Sequence, residues 1–583
     1  MGNANSQSGG SEPQYEPMLD RDVQAEMRDG VKLCVDVYRP DAPGRFPALL
    51  TMHPYCKDIE DMVHLGKDLG RMNVEFAAVE AGDHEFWARH GYAHVIADVR
   101  GTGKSQGTYY NLTSPQEAQD GYDLVEWIAE QPWSDGKVGM IGISYLAFIQ
   151  YLVAAEQPPH LRAIFPHDGW GDLYRDIMYQ GGIPGIFAYI MDQIIPTTQS
   201  VPVSRVMYGE QEMRRRAEQL KQDDSSSIQH NATAYKVLSL PDAHPIAFDI
   251  VLNRVDNQFY RDRSPAAHMD KIRVPTYLGS EMHAYPVTMH LPGVSWGWER
   301  IGAPKKVAFR PSKDGGLDRP FHELHDEILR WYDYWLKGID NGIMDEPPVK
   351  IWVRGAEEWR YADEWPLTSV TRWSKFYLRE ANQLSWGVGP SDYETPDRMD
   401  YEPPVPVVIN PEPLSDRPPA ITYTAKPFDE DTEVIGPLAL YLHASLSDHD
   451  GDFLVAVKEV DSEGAECVLT RGWLRASHRE LDAERSTAWK PYHSHVEPKP
   501  IMPGEVYEYA IEIQPMANRF DAGHRLKLEI WPCDYPAEDY YDWTQYWGAC
   551  HHMPYGRPVA YELHHSPEHP SHLLVPIVRA AGG

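Results

Sequence analysis

A serine at the corner between a strand and a helix is the residue in this chain best placed to do chemistry. Residues 133–151 read WSDGKVGMIGISYLAFIQY. Val138–Ile141 is a short, continuously apolar run between turn residues and predicts a buried strand, while Leu146–Ala155 has helical spacing. Gly142, Ile143, Ser144 and Tyr145 form the turn between them. Strand, sharp turn with a serine at its apex, then helix is the nucleophile-elbow pattern. There the hydroxyl is pushed outward and the helix N-terminus behind it favours developing negative charge. Gly142, and Ala147 where the pattern usually has its last glycine, are small enough for strand and helix to cross closely. The same residues also fit an ordinary βα turn with an incidental serine, so the chemistry needs partners.

A hydroxyl is a poor nucleophile without an adjacent base and donors for the oxyanion. By elbow geometry the backbone N–H of Tyr145 is one such donor. The segment Glu117-Ala118-Gln119-Asp120-Gly121-Tyr122-Asp123-Leu124-Val125-Glu126-Trp127, followed by Gln131-Pro132-Trp133-Ser134-Asp135-Gly136, leads into the elbow. Upstream lie Asp98-Val99-Arg100-Gly101-Thr102-Gly103 and His53-Pro54-Tyr55. Together these resemble the family of cocaine esterase, α-amino-acid ester hydrolases and X-Pro dipeptidyl-peptidases, from about Val23 to Asn341 and more weakly through the C-terminal third. The resemblance implies an α/β-hydrolase fold with a helical cap and a C-terminal jelly roll. It also implies a second oxyanion donor at Tyr55, which as an unrelated feature would be a packed aromatic.

The acid and the histidine depart from that family's pattern. Its Gly-Trp-x-Asp-like segment reads here Gly279-Ser280-Glu281-Met282-His283, and its Gly-Pro-Trp-x-His segment reads Arg310-Pro311-Ser312-Lys313-Asp314. Glu281 is therefore the expected acid, although shifted, with His283 in the aspartate's place and Asp314 in the histidine's. An exchange of acid and base between the two loops is one alternative, because triads are defined by geometry. The preferred base is His325, since Phe321, His325, Ile328, Tyr332 and Trp335 share one helical stripe. His322 is the second choice. Either imidazole could equally be a core or solvated histidine.

The 583 residues suffice for two or three domains. Their hydrophobic and charged fractions, 42% and 24%, are those of a globular protein. A net charge of −33 argues against nucleic acid or an anionic membrane as partner, and most simply serves solubility. Five scattered cysteines without a CxxC pair suggest neither a metal site nor a disulfide framework. No signal peptide or membrane-spanning apolar run is apparent, so a cytoplasmic location is expected.

Residues 1–18 are expected to form a disordered polar tail. Alternation over Val31–Val37 and apolar runs at Phe46–Met52 and Tyr92–Val99 predict strands, and Ser114-Pro115-Gln116-Glu117 predicts a capped helix ending near Gln131. The βα rhythm over 19–156 and 268–345 predicts a parallel sheet covered on both faces, which the resemblance identifies as the α/β-hydrolase domain. Residues 157–267 are a helical insertion, with helices expected at Tyr179–Ile195 and Glu210–Gln222. Residues 346–583 carry a proline-rich stretch and then alternating strands of an antiparallel sandwich. The expected function is a serine hydrolase acting on a small ester or amide without a cofactor, and a homodimer is compatible with the sequence. Alternatives are acyl transfer or cyclisation by the same elbow, or a catalytically inactive binding homologue.

Overall fold

The computed structural model describes residues 10–60, 80–223, 228, 231–282, 289–311, 324–403, 418–534 and 552–579. A ten-stranded sheet organises the first of two β-rich bodies. It contains β1 (Pro17–Glu26), β2 (Lys32–Pro40), β3 (Phe46–His53), β4 (Ala93–Asp98), β5 (Ser134–Ile143), β6 (Leu161–His167), β7 (Thr276–Met282), β8 (Lys305–Pro311), β9 (Val349–Val353) and β10 (Glu358–Ala362). Their order is β1-β2-β4-β3-β5-β6-β7-β8-β9-β10. Every pairing from β4 to β9 is parallel, and the two outer pairings at one edge and the one at the other are antiparallel. Central strands such as β3 and β4 are buried along their whole length, as a sheet covered on both faces requires.

The helices divide between the two faces. Alternate residues of β5 enter different clusters: Val138 and Met140 join the core that contains α3 (Tyr145–Ala155), while Ile141 and Ile143 join the one beneath α1 (His84–Arg89). With α3 go α2 (Pro115–Ala129) and, between β7 and β8, α10 (Leu291–Arg300); with α1 goes α11 (His325–Tyr332). Ser114 caps α2, accepting from the Glu117 N–H while the Glu117 side chain takes the Ser114 N–H, with proline at the first helical position. Between β6 and β7 the insertion holds α4 (Phe187–Ile194), α5 (Val203–Tyr208), α6 (Glu210–Gln222), α7 (Ala232–Ser239), α8 (Pro245–Leu252) and α9 (Gln258–Arg261). The helix expected over Tyr179–Ile195 starts only at Phe187, because Gly181 and Gly182 take positive φ and turn the chain.

The second body is a predominantly antiparallel eleven-stranded array. Its first strands are β11 (Thr371–Arg379), β12 (Gln383–Trp386), β13 (Asp397–Tyr401), β14 (Ile421–Ala425), β15 (Thr432–Leu446) and β16 (Asp452–Val460). There follow β17 (Glu466–Arg475), β18 (Tyr507–Phe520), β19 (Arg525–Trp531), β20 (Val559–His564) and β21 (His572–Val578). The long β15 pairs with β18, β20 and β21, so the array folds back on itself around one apolar core.

Two expectations change. The first sheet continues past 346, because β9 and β10 hydrogen-bond onto β8. Residues 10–18 are held rather than loose: Ser11 N–H donates to Asp333 (2.5 Å), Gln14 N–H to the Arg89 carbonyl (2.8 Å), and β1 begins at Pro17. Of the helix expected over Phe321–Lys337, residues 321–323 lie outside the described residues; the rest is helical from His325 to Lys337 and closes at Gly338, whose φ of 71° is the left-handed cap glycine allows. Most of the proline-rich stretch lies outside the described residues. Among them no helix is long and apolar enough to cross a membrane.

Candidate active site

Ser144 sits at the corner between β5 and α3 with φ 56° and ψ −117°, a conformation a side-chain-bearing residue adopts only under compulsion. The compulsion is visible. Its N–H donates to the His167 carbonyl on β6 (3.1 Å), and its carbonyl accepts from Ala147 and Phe148 in the first turn of α3. Gly142 lies close to Leu146, so that a Cβ there would stand 2.4 Å from the Leu146 Cβ. The small residue at 147 packs 3.0 Å from the Cβ position of Gly169.

The hydroxyl of Ser144 lies 3.0 Å from Nε2 of His290. His290 precedes α10, and the placement of that helix is set by two glycines. Gly293 lies so close to the chain after β6 that a Cβ there would fall 1.7 Å from the Gly169 carbonyl oxygen, and Gly171 meets the Trp296 ring in the same way. The Trp170 ring lies parallel to the His290 imidazole at 6.2 Å.

Asp168, the first residue beyond β6, has its Oδ2 3.5 Å from His167 Nε2 and is close enough for the His290 ring to act on its charge. Its backbone has φ 53°, its N–H donates to the Gly279 carbonyl, and its Oδ1 accepts from the Ser280 hydroxyl (2.7 Å) and the Glu281 N–H (3.2 Å). Burial works to raise its carboxyl. The neighbouring His167 and His290 rings, with the Ser280 and Glu281 donors, outweigh burial and hold the carboxyl below the usual carboxylate range. The chain order Ser144, Asp168, His290 is that of α/β-hydrolases.

Tyr55 follows β3 on a loop pinned from below. Its N–H donates to His53 Nδ1 (3.2 Å). Two residues on, the ammonium of the buried Lys57 is gripped by Asp22 (2.7 Å), Asp36 (2.8 Å) and Asp58 (2.9 Å). The Tyr55 ring is buried with its edge toward Tyr145, centroids 5.9 Å apart. Tyr145 is the first residue of α3, so its N–H is among those a helix start leaves without an internal partner.

One sequence expectation, His325 as the base, is corrected by these positions. His325 is buried on α11 against the opposite face of the sheet from α3 and α10, stacked on Phe86 (4.1 Å) and edge-on to Trp87. Its stripe does point inward, with Ile328 and Tyr332 buried beside it, but into the core rather than toward Ser144. Glu281 is buried at the end of β7, where its backbone N–H supports Asp168. His283, Asp314 and His322 lie outside the described residues. The imidazole beside Ser144 is one the sequence reading passed over, His290, whose signal is weak: a His-Leu-Pro helix start after a strand. Asp168 had a better one, as an acidic residue in the Gly-rich turn leaving β6.

Residues 29–312 match the family described as X-Pro dipeptidyl-peptidase (S15 family), and residues 341–573 match the X-Pro dipeptidyl-peptidase C-terminal non-catalytic domain. The chain is 26% identical to the cocaine esterase of a Rhodococcus species, over 96% of this chain and 98% of the other. Among solved structures, a CocE/NonD family hydrolase from Staphylococcus aureus superposes with a TM-score of 0.76 at 24% identity, covering 99% of each chain. An aminopeptidase from a marine-sediment thaumarchaeote superposes with a TM-score of 0.75 at 18% identity, over 99% of this chain and 98% of the other. The shared architecture is an α/β-hydrolase domain followed by a β-rich C-terminal domain.

Proposed function

Since the chain belongs to the X-Pro dipeptidyl-peptidase (S15) family and is a serine hydrolase, we propose that Ser144 is its nucleophile, His290 its general base and Asp168 its acid. The observation that carries this is the 3.0 Å approach of His290 Nε2 to a serine hydroxyl presented at positive φ. The Ser144 hydroxyl donates to Nε2, and as its oxygen attacks a substrate carbonyl the proton passes to His290. The imidazolium so formed is stabilised by the ionised Asp168. The Tyr145 N–H and the Tyr55 hydroxyl receive the oxyanion. His290 then protonates the departing alcohol or amine, leaving an acyl ester on Ser144. Water, deprotonated by the same imidazole, cleaves that ester and regenerates the serine.

The substrate is a small ester or amide, and the C-terminal strands are read as a jelly roll because β15 pairs with β18, β20 and β21, which closes the array on itself. Rapid quenching with a chromogenic ester followed by intact-mass analysis tests the scheme. The expected result is an acyl adduct on the wild-type chain and none on Ser144→Ala, with turnover lost. Turnover at the wild-type rate in Ser144→Ala would overturn it.

A further inference from the structure

We propose that Glu117 is a positioning residue for the oxyanion hole: its carboxylate holds the Tyr145 phenol and, through it, the first turn of α3. This role rests on the reading of Tyr145 N–H as an oxyanion donor.

Glu117 occupies the third position of α2 and supplies half of that helix's capping box, its Oε1 accepting from the Ser114 N–H (3.0 Å). A cap uses one carboxylate oxygen and can be made at the surface. Glu117 instead is buried, at 2% exposure, and its second oxygen accepts from the Tyr145 hydroxyl (2.5 Å). Burying a carboxylate is costly, and glutamine would serve the cap alone. The charge is therefore kept for the bond to Tyr145. That phenol is a junction: it donates to Glu117, accepts from the Thr113 N–H (3.1 Å) and lies 3.5 Å from the Tyr109 hydroxyl. Tyr145 directly follows Ser144, and the Tyr55 ring packs on its edge, so one side chain touches both oxyanion donors.

The charged surroundings are few. On α2, Asp120 faces Glu117 but is paired with Arg100 (2.6 Å). From the insertion, Arg263 feels the Glu117 charge while donating to the Phe259 and Tyr110 carbonyls, and from the turn after β4 comes Tyr109. Burial pushes the Glu117 carboxyl up to about 7, against the Tyr145 and Ser114 donors that favour its charged form. Protonation replaces the charge-assisted bond by a weaker neutral one: the carboxyl O–H donates to the Tyr145 oxygen, and the phenol hydrogen turns to Tyr109, at a distance where a hydroxyl–hydroxyl bond is weak. The tether on the first turn of α3 loosens.

The acid limb of log kcat against pH should then contain two ionisations, His290 and Glu117, and approach a slope of about two. Glu117→Gln is expected to lower kcat about tenfold with KM little changed and to return the limb to a slope of about one. Tyr145→Phe, which keeps the backbone N–H, should do the same, and the double variant should lose no more than either single one. Ser114→Ala removes the other half of the cap but leaves the Tyr145 bond, so it should lower thermal stability and keep the wild-type limb. A wild-type kcat and limb in Glu117→Gln and Tyr145→Phe overturns the proposal, as does a Ser114→Ala profile matching Glu117→Gln, which would make Glu117 a cap only. Failure here is distinct from failure of the nucleophile assignment, which Ser144→Ala alone reports.

Discussion

Replacing Gly293 with alanine should cripple the enzyme without touching any reacting group. The added Cβ would fall 1.7 Å from the Gly169 carbonyl oxygen, and ordinary contact begins at about 3.4 Å. Backbone meets backbone there, so neither side can rotate away. The start of α10 must then move from the 168–171 segment by about 1.7 Å. His290 rides on that helix start while Ser144 stays fixed by β5 and β6, so the 3.0 Å approach opens well beyond hydrogen-bond reach. Misplacement by about 1 Å costs on the order of 10²-fold in rate, so kcat should fall by about 10²-fold or more. Overpacking should also cost about 1–3 kcal/mol of stability, leaving a folded protein. Steady-state kinetics on a chromogenic ester, with circular dichroism and a urea titration as controls, make the measurement. A folded Gly293→Ala enzyme with kcat within threefold of wild type would refute the idea that α10 packing sets the base.

Three further outcomes follow from the same geometry. His325→Ala should leave kcat within about threefold while costing about 2–3 kcal/mol in urea denaturation, since the ring fills space against Phe86 and Trp87. Tyr55→Phe should lower kcat on the order of 10²-fold with a small change in KM, as loss of an oxyanion donor does; an unchanged kcat would reduce Tyr55 to a packed ring. Burial lowers His53 and His94 to about 3 and His443 and His493 to about 4. Each is depressed below its unfolded value of 6.5, so the unfolded chain binds the extra protons. The stability they contribute is complete above that pH and is lost as pH falls from about 6.5 toward 4. His94→Gln should therefore lose about 1 kcal/mol less unfolding free energy than the wild type between pH 7.5 and 5.5 in urea titrations, and an equal loss in both would contradict it.

The parts of this protein legible in its sequence are those set by local chemistry. The elbow at 142–147, the Ser114 capping box and the apolar runs of β3, β4 and β5 each declare themselves within a few residues. The proposed base did not, because His290 reaches Ser144 through a helix whose place depends on Gly169, Gly171 and Gly293, contacts between segments more than a hundred residues apart. His325 misled for a related reason. Helical spacing tells which stripe faces inward, but not which face of the sheet the helix covers, and α11 covers the face shared with α1. Asp168 stood in plain view after β6, yet the role proposed for it depends on the donation from Ser280 and Glu281, which only the fold brings about. The expected boundary at 346 missed because a strand's partner is a non-local fact: β9 and β10 have the alternating look of the β-rich half but hydrogen-bond to β8.

The most direct test is the rate at which a fluorophosphonate probe labels Ser144 in the wild type, in His290→Ala and in His325→Ala. If His290 activates the serine, its removal slows labelling on the order of 10³-fold or more, while His325→Ala labels at the wild-type rate. Wild-type labelling by His290→Ala, or loss of labelling in a folded His325→Ala, would contradict the assignment.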